Sequence, residues 1–190
     1  PTSTDTSAAE SGRRLVLARG RAHTMRIRNS FIPVEGVGAT TERRMWENDI
    51  REWDEFRQDR APGVGATTAS RIESFIDEAN ERLDERDASF FDRAFPSGER
   101  WRLYEDFRDG ACFFDIETTG LSHERDRVTT VSFHRDGETT TLVQGRDLSA
   151  ATLREQFREA DLLVTFNGKR FDVPFLETSF GMEVDAPHLD

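Results

Sequence analysis

Two carboxylates separated by a single residue stand at the end of a short apolar run within residues 111–120. In a β-strand, side chains at positions i and i+2 point to the same face, so Asp115 and Glu117 would project together. Their neighbours Phe114 and Ile116 would point the other way, into a core. Paired carboxylates at the end of a buried strand are costly to fold unless a cation neutralises them, and hard divalent cations prefer oxygen ligands. The segment therefore predicts a divalent-metal site.

The elements after this strand follow an α/β pattern, in which alternating or apolar runs are separated by turn residues and helix caps. Asp136-Gly137 predicts a hairpin turn between two antiparallel strands. Ser149 predicts the cap of a helix, and Pro174 falls in the first turn of a later one. The expected order is strands over 128–134 and 139–143, a helix over 149–160, a strand over 161–166, a turn over 167–170, a helix over 171–180 and a further strand near 188–190.

An internal repeat precedes this region. Residues 36–41, Gly-Val-Gly-Ala-Thr-Thr, recur as residues 63–68. Each copy leads into a segment with the apolar spacing of a helix, and Thr41 or Thr68 is expected to be the N-cap. The apolar residues are Met45, Trp46, Ile50, Trp53 and Phe56 after the first copy, and Ile72, Phe75, Ile76, Ala79 and Leu83 after the second.

A Gly-x-Gly turn before a helix resembles the helix-hairpin-helix element, whose backbone amides can hold a phosphate at the helix N-terminus. The second copy is the better match, and it makes Gly63, Gly65 and Thr67 candidate nucleic-acid-binding residues. A purely structural pair of helices is an equally open interpretation, because glycine-rich turns before helices are also ordinary loop chemistry.

The chain divides into four predicted parts. Residues 1–30 are predicted to be a disordered, arginine-rich arm. No acidic residue occurs between positions 11 and 34, which fits either a phosphate-contacting arm or a partly ordered lead-in. Residues 31–88 are predicted to be the helical lobe, and the aromatic-rich residues 89–110 to be linker helices that pack this lobe against the rest of the chain. Residues 111–190 are the predicted α/β domain.

The composition limits the cellular setting. The sequence has no apolar run long enough to cross a membrane and no apolar core of a signal peptide at its start. The single cysteine, Cys112, excludes an internal disulfide and fits a reducing compartment. We therefore expect a cytoplasmic protein without a membrane partner.

The charge balance is unusual. A net charge of −11 normally argues against nucleic acid as a partner. However, Lys169 is the one lysine among 26 basic residues, and the others are arginines. Such an acidic surface is expected in a salt-rich cytoplasm, where salt screens the repulsion between carboxylates. A halophilic source is favoured over a codon bias toward arginine, and on that interpretation the net charge says little about the ligand.

Two motifs carry a family resemblance. Residues 115–120, Asp-Ile-Glu-Thr-Thr-Gly, resemble the first motif of the DEDD (DnaQ-like) 3′–5′ exonuclease superfamily. Residues 166–176, Phe-Asn-Gly-Lys-Arg-Phe-Asp-Val-Pro-Phe-Leu, resemble its second motif. This second form is similar to that of proofreading domains of family B polymerases and of YprB-type RNase H-like exonucleases. The predicted order of elements is also that of an RNase H-like fold, and the resemblance extends over residues 25–190.

The resemblance implies an α/β fold with an RNase H-like mixed sheet, in which three antiparallel strands and further parallel strands are flanked by helices. It implies phosphodiester hydrolysis in which Asp115, Glu117 and Asp172 are the catalytic residues and hold two Mg²⁺ or Mn²⁺ ions. The expected partner is DNA or RNA with a single-stranded 3′ end. Contacts with nucleic acid are implied for Thr118, Gly120, Asn167, Lys169 and Phe171.

The third motif of this superfamily, a fourth carboxylate with a nearby Tyr or His on a later helix, is missing from the sequence. His188 and Asp190 lie too early for it, where the resemblance suggests the next strand. We therefore expect a C-terminally truncated member or, alternatively, a non-catalytic nucleic-acid-binding or adaptor protein that keeps an incomplete RNase H-like fold. An RNase H-like endonuclease or resolvase is a third interpretation. His123 and His134 are expected to be ordinary surface or sheet residues.

Overall fold

The computed structural model describes residues 26–190, so most of the predicted N-terminal arm, residues 1–30, lies outside the described residues. The described end of that arm is part of the helical lobe. A 3₁₀ turn at Ile27–Asn29 buries both of its terminal residues, and the backbone N–H of Ile27 donates to Asp106 Oδ2 at 3.0 Å.

Short helices joined by 3₁₀ turns build the lobe from the end of this segment to residue 110. The apolar side chains of all these elements share one core, which runs from Ile27 to Phe107 and also takes in Ala111 and Leu162 from the sheet. The helices are α1 (Ala39–Glu47), α2 (Ala66–Asp84), α3 (Ala88–Ala94) and α4 (Tyr104–Phe107), and the turns are Trp53–Glu55, Gln58–Arg60, Ser97–Leu103 and Arg108–Gly110.

The two repeated loops start their helices in the same way. Gly38 precedes α1 and Gly65 precedes α2, both in an extended conformation, and neither helix has a side-chain cap. The prediction that Thr41 or Thr68 is an N-cap is therefore wrong. Both threonines lie inside the first turn, because each helix begins directly after the second glycine of its loop.

Each loop contacts the helix of the other copy. Gly36 has a φ of +92°, and a Cβ built on it would lie 3.4 Å from Thr68 Oγ1 on α2. A Cβ built on Gly63 would lie 3.6 Å from Arg44 Nη1 on α1. The two copies therefore pack as a reciprocal pair.

The first helical segment ends earlier than its apolar spacing predicts. Helix α1 stops at Glu47, and Asp49 then takes a φ of +60°, which turns the chain. Ile50, Trp53 and Phe56 lie beyond the helix but are still buried in the lobe core. The apolar pattern thus identified the core residues correctly while the length of the helix was wrong.

A buried ion pair ties three segments of the lobe together. Glu42, only 1% exposed, accepts hydrogen bonds at Oε1 from Ser30 Oγ (2.6 Å) and from the backbone N–H of Phe31 (2.7 Å). Its Oε2 accepts from Arg102 Nη2 at 3.2 Å. Arg102 is 4% exposed and also donates from Nε to Glu99 Oε2 at 2.8 Å. Both buried charges are therefore compensated by an opposite charge.

Within the described residues, five strands form one mixed sheet in the order β3-β2-β1-β4-β5. Strands β1, β2 and β3 pair antiparallel, whereas β4 lies parallel to β1 and β5 lies parallel to β4. This is the predicted RNase H-like arrangement, flanked by α5 (Ala150–Arg158) and α6 (Asp172–Phe180). The strands are β1 (Ala111–Thr118), β2 (Val128–Arg135), β3 (Glu138–Val143), β4 (Leu162–Val164) and β5 (His188–Leu189).

The predicted hairpin turn and the predicted helix cap in the sheet half of the chain are both confirmed. Asp136 and Gly137 both have positive φ values, 52° and 79°, as a two-residue hairpin turn requires. Ser149 Oγ accepts the backbone N–H of Thr152 at 3.2 Å, so the predicted cap of α5 is formed.

The covered face of the sheet carries a second core. Phe114 and Phe133 from the sheet pack edge-on against Phe157 from α5. The thiol of Cys112 is buried beside them, and burial raises its pKa. No helix within residues 26–190 is long and apolar enough to cross a membrane.

Candidate active site

The predicted alternation along β1 is confirmed. Phe114 and Ile116 are buried in the second core, whereas Asp115 and Glu117 are exposed on the opposite face. The antiparallel register with β2 shifts between Glu117 and Thr118, at the end of the strand. Both carboxylates therefore lie on the uncovered face of the sheet, close to the edge where the parallel strands end.

Asp172 reaches β1 from the first position of α6. Pairing between β1 and β4 ends at Phe113 and Val164, so the backbone N–H of Ile116 lies beyond the last described residue pair of this ladder. Asp172 Oδ1 accepts that N–H at 3.1 Å. This bond continues the edge of β1 with a side chain and fixes the carboxylate next to Asp115.

Asp172 is a buried charge with like-charged neighbours. It is only 3% exposed, and burial raises its pKa; the charge of Asp115 raises the pKa further, and that of Asp190 adds to the effect. The hydrogen bond from Ile116 lowers the pKa without cancelling these effects. No Lys, Arg or His of residues 26–190 forms an ion pair with Asp172. Within the described residues, Asp172 therefore has no ion-pair partner of the kind that Glu42 has in Arg102.

Asp190 lies at the same edge of the sheet, after β5. Its Oδ1 accepts from Thr165 Oγ1 (3.0 Å) and from the backbone N–H of Gly168 (2.7 Å), and its Oδ2 accepts from the N–H of Lys169 (3.3 Å). Burial would raise the pKa of Asp190, but these three hydrogen bonds outweigh it and hold the pKa below its usual value.

The donor chemistry of the site fits a hard divalent cation, because carboxylate oxygens are the ligands that Mg²⁺ and Mn²⁺ take in proteins. Asp115 and Asp172 are the pair that the structure brings together, because Asp172 binds the amide of Ile116, the next residue along β1, and the charge of Asp115 raises the pKa of Asp172. In the part of the chain that the structure describes, no three His, Cys, Asp or Glu side chains are grouped closely enough to hold a metal ion.

The other predicted contacts of this half lie around the ends of β1 and β4. Asn167, with a φ of 59°, and Lys169 are exposed on the turn before α6. Phe171 is half-buried and packs on Phe175 with a ring separation of 4.9 Å, so it supports α6. Thr118 Oγ1 donates to the carbonyl oxygen of Gly120, which shapes the turn that ends β1.

Gly63, Gly65 and Thr67 are all exposed, but they lie in the helical lobe and not among the carboxylates of the sheet. Their role in binding nucleic acid stays a prediction. His123 Nδ1 lies 3.3 Å from Thr178 Oγ1 and His134 Nδ1 lies 2.8 Å from Thr139 Oγ1, as expected for ordinary surface and sheet residues.

Sequence reasoning placed Asp190 too early for the third motif and did not foresee its hydrogen bonds to the turn before α6. No local signal could have found these contacts, because they depend on the parallel pairing of β4 with β5, which brings Asp190 beside the turn that leads to Asp172. Exposed apolar residues also adjoin both motifs: Phe166 directly precedes Asn167 and is 95% exposed, and Leu121 follows the first motif and is 85% exposed.

The sheet order and the carboxylate edge define the class of fold. A family described as the RNase H superfamily (RNase_H_2) matches residues 112–190, which is the sheet half from β1 to the end of β5. The helical lobe lies outside this match, and no curated protein matches the chain. Residues 112–190 thus have an RNase H-like fold.

Several solved structures, chiefly nucleases, resemble part of the chain. A nuclease in its apo form is 28% identical, over 42% of this chain and 39% of its own, with a TM-score of 0.36. Brucella melitensis NrnC is 26% identical, over 45% and 43%, with a TM-score of 0.36. The family B DNA polymerase of Pyrobaculum calidifontis is 25% identical, over 36% and 10%, with a TM-score of 0.32. The chain spans less than half the length of each, and overlaps this partial define neither activity nor substrate.

Proposed function

We propose that the chain is a metal-dependent nuclease of the 3′–5′ exonuclease type, which hydrolyses phosphodiester bonds at single-stranded ends of DNA or RNA. The observation that carries the proposal is Asp172, a buried carboxylate beside Asp115 without an ion-pair partner in the described residues. A buried charge of this kind is unfavourable for folding, and such groups concentrate at functional sites.

The position of each residue indicates its role in the proposed reaction. Asp115 and Glu117 project from the open face of β1, and Asp172 lies beside Asp115 at the start of α6. These three side chains would hold Mg²⁺ or Mn²⁺, and binding would have to draw them closer together, because the described residues contain no group of three that could hold a metal ion. Two bound ions supply an activated water and positive charge for the leaving 3′ oxygen. The amide of Ile116 orients Asp172, and the exposed Lys169 beside the site offers a positive charge to a phosphate.

Single-stranded nucleic acid is the substrate that the surroundings favour. Phe166 exposes an aromatic ring and Leu121 an aliphatic side chain at the two motifs. Unpaired bases stack on exposed aromatic rings such as that of Phe166. A duplex offers its bases only in grooves, which two isolated apolar side chains would not read.

A second candidate is a non-catalytic nucleic-acid-binding or adaptor protein. It is favoured by the lack, within residues 26–190, of any group of three metal-binding side chains. On this alternative, the carboxylate pair would be kept without a complete hydrolytic centre.

The test uses the 190-residue chain with 3′-labelled single-stranded DNA and RNA oligonucleotides, in Mg²⁺ and in Mn²⁺, at high salt. Metal-dependent release of labelled mononucleotides, abolished in Asp115→Asn and kept in the exposed control Asp77→Asn, is the expected result. Binding without cleavage in either metal would overturn the nuclease proposal in favour of the second candidate. Cuts in a circular single strand would show an endonuclease.

A further inference from the structure

The turn between β4 and α6 is held from outside by a single carboxylate. Asp190 accepts three hydrogen bonds from it, from the hydroxyl of Thr165 and from the amides of Gly168 and Lys169, at 3.0, 2.7 and 3.3 Å. Two successive backbone amides that point at one carboxylate fix the orientation of the peptide between them. The turn is thus tied to the end of β5.

Packing limits the same turn from inside. Gly168 is buried, and a Cβ built on it would lie 2.4 Å from Thr165 Oγ1, so no larger residue fits. The hydroxyl of Thr165 donates to Asp190 and therefore accepts from Nε2 of the buried His188 at 2.7 Å. Thr165, His188 and Asp190 form one connected network around Gly168.

The same turn determines where α6 begins. The N–H of Phe171 donates to the carbonyl of Asn167 at 3.1 Å, and that of Val173 donates to the carbonyl of Gly168 at 2.9 Å. Asp172 lies between these two residues and extends to the amide of Ile116 on β1. A shift of Gly168 would therefore move the carboxylate that faces Asp115.

The hydrogen bonds of Asp190 distinguish it from a ligand. Both of its oxygens are engaged by donors of the chain itself, whereas Asp172 is buried with a raised pKa and repelled by its neighbours. We propose that Asp190 is a positioning residue, which fixes the turn 165–169 so that Asp172 enters the site beside Asp115. The inference rests on the proposed function only for the role of Asp172 in hydrolysis.

The test measures amide hydrogen exchange by NMR in the full chain, with Asp190→Ala and Asp190→Asn compared with the unmodified protein. In Asp190→Ala, exchange of the Ile116 amide should accelerate by about tenfold or more, because losing a charge-assisted acceptor costs about 1.4 kcal/mol or more and each 1.4 kcal/mol is tenfold. Asp190→Asn keeps an oxygen for Thr165 and Gly168, so it should restore most of the protection. The amide of Phe133 on β2 should change in neither variant.

Three results would overturn the inference. An unchanged Ile116 amide in Asp190→Ala would show that the turn does not control Asp172. Equal acceleration at Ile116 and Phe133 would show a general loss of stability. Failure of Asp190→Asn to restore protection, with Mn²⁺ affinity lost as in Asp115→Asn, would show that the charge acts as a ligand. The exchange readout needs neither metal nor cleavage, so an inactive chain would refute the proposed function without deciding this point.

Discussion

The two halves of the molecule bury charge in opposite ways. In the helical lobe, Glu42 lies against Arg102, and its other oxygen accepts from Ser30 and Phe31. In the sheet half, Asp172 has one backbone donor from β1 and lies near two other carboxylates. Both side chains are almost fully buried, at 1% and 3% exposure, so the degree of burial does not distinguish the two residues.

The difference lies in what compensates each charge. A buried ion pair with satisfied oxygens is part of the architecture, and removing one partner leaves an uncompensated charge. A buried carboxylate among carboxylates lowers stability and is kept for another reason. The lobe pair is therefore part of the structure, whereas we propose a chemical role for the sheet site, and we expect opposite responses when the two are mutated.

The largest expected effect is in the lobe. Glu42→Ala leaves the Arg102 guanidinium buried without a full partner, and we expect the free energy of unfolding to fall by about 3–5 kcal/mol. Urea unfolding followed by circular dichroism measures it. Glu47→Ala, an exposed change on the same helix, should stay within about 0.5 kcal/mol of the original chain. A loss below about 1 kcal/mol in Glu42→Ala would contradict the structural role of the pair.

Asp172→Asn, unlike Glu42→Ala, should stabilise the fold. The amide keeps an oxygen for Ile116 but removes the repelled charge, so the free energy of unfolding at pH 7 should rise while cleavage falls by about 100-fold or more. The sign follows from linkage: the folded pKa is raised, so the folded state takes up the proton first and the ionised group destabilises the fold above that pKa. Destabilisation comparable to that of Glu42→Ala would break the comparison.

His188 makes the stability of the fold depend on pH in the acid range. Burial lowers the pKa of His188 to about 4, helped by Lys169 and opposed by Asp190. The unfolded chain is protonated first as the pH falls below 6.5, so this stability is present above pH 6.5 and is lost toward pH 4. We expect a loss of about 2 kcal/mol between pH 7 and pH 5, which is absent in His188→Gln and kept in His134→Gln. Denaturant unfolding at several pH values measures the difference, and equal curves for the two variants would contradict it.

The smallest effect is expected where the halves meet. Arg86 of the lobe pairs with Asp161 of the sheet half at 2.6 Å, but both side chains are partly exposed. Arg86→Ala should cost less than about 1 kcal/mol, and less again at high salt. Thermal unfolding at low and high salt measures it. A cost as large as that of Glu42→Ala would contradict the prediction, because it would show that this partly exposed pair contributes as much stability as the buried one.

Local patterns predicted much of the sheet half. The alternation of β1, the hairpin turn at Asp136-Gly137 and the cap at Ser149 depend on residues close in sequence, and all three are confirmed. The first residues of the helices that follow the repeated loops were predicted less well. Thr41 is of a residue type that often caps helices, but α1 begins before it, directly after Gly38.

The relations between distant residues were the least predictable. The sequence named Asp115 and Asp172 through motifs, but it could not show that Asp172 is buried or that it caps the edge of β1. The contact of Asp190 with Gly168 depends on how β5 pairs with β4, which no local pattern contains. The sequence therefore named Asp115 and Asp172, which the structure brings together, whereas the packing of the strands determines how they are held.

The buried thiol of Cys112 can report on local opening of the structure around β1. It is the only cysteine in the sequence, and it lies on the strand that carries Asp115, where burial and a raised pKa suppress its reactivity. A thiol reagent can modify it only when the second core, which covers it, opens. The labelling rate therefore measures how often this region opens without any engineered label, and ligands that bind at the proposed site should slow it.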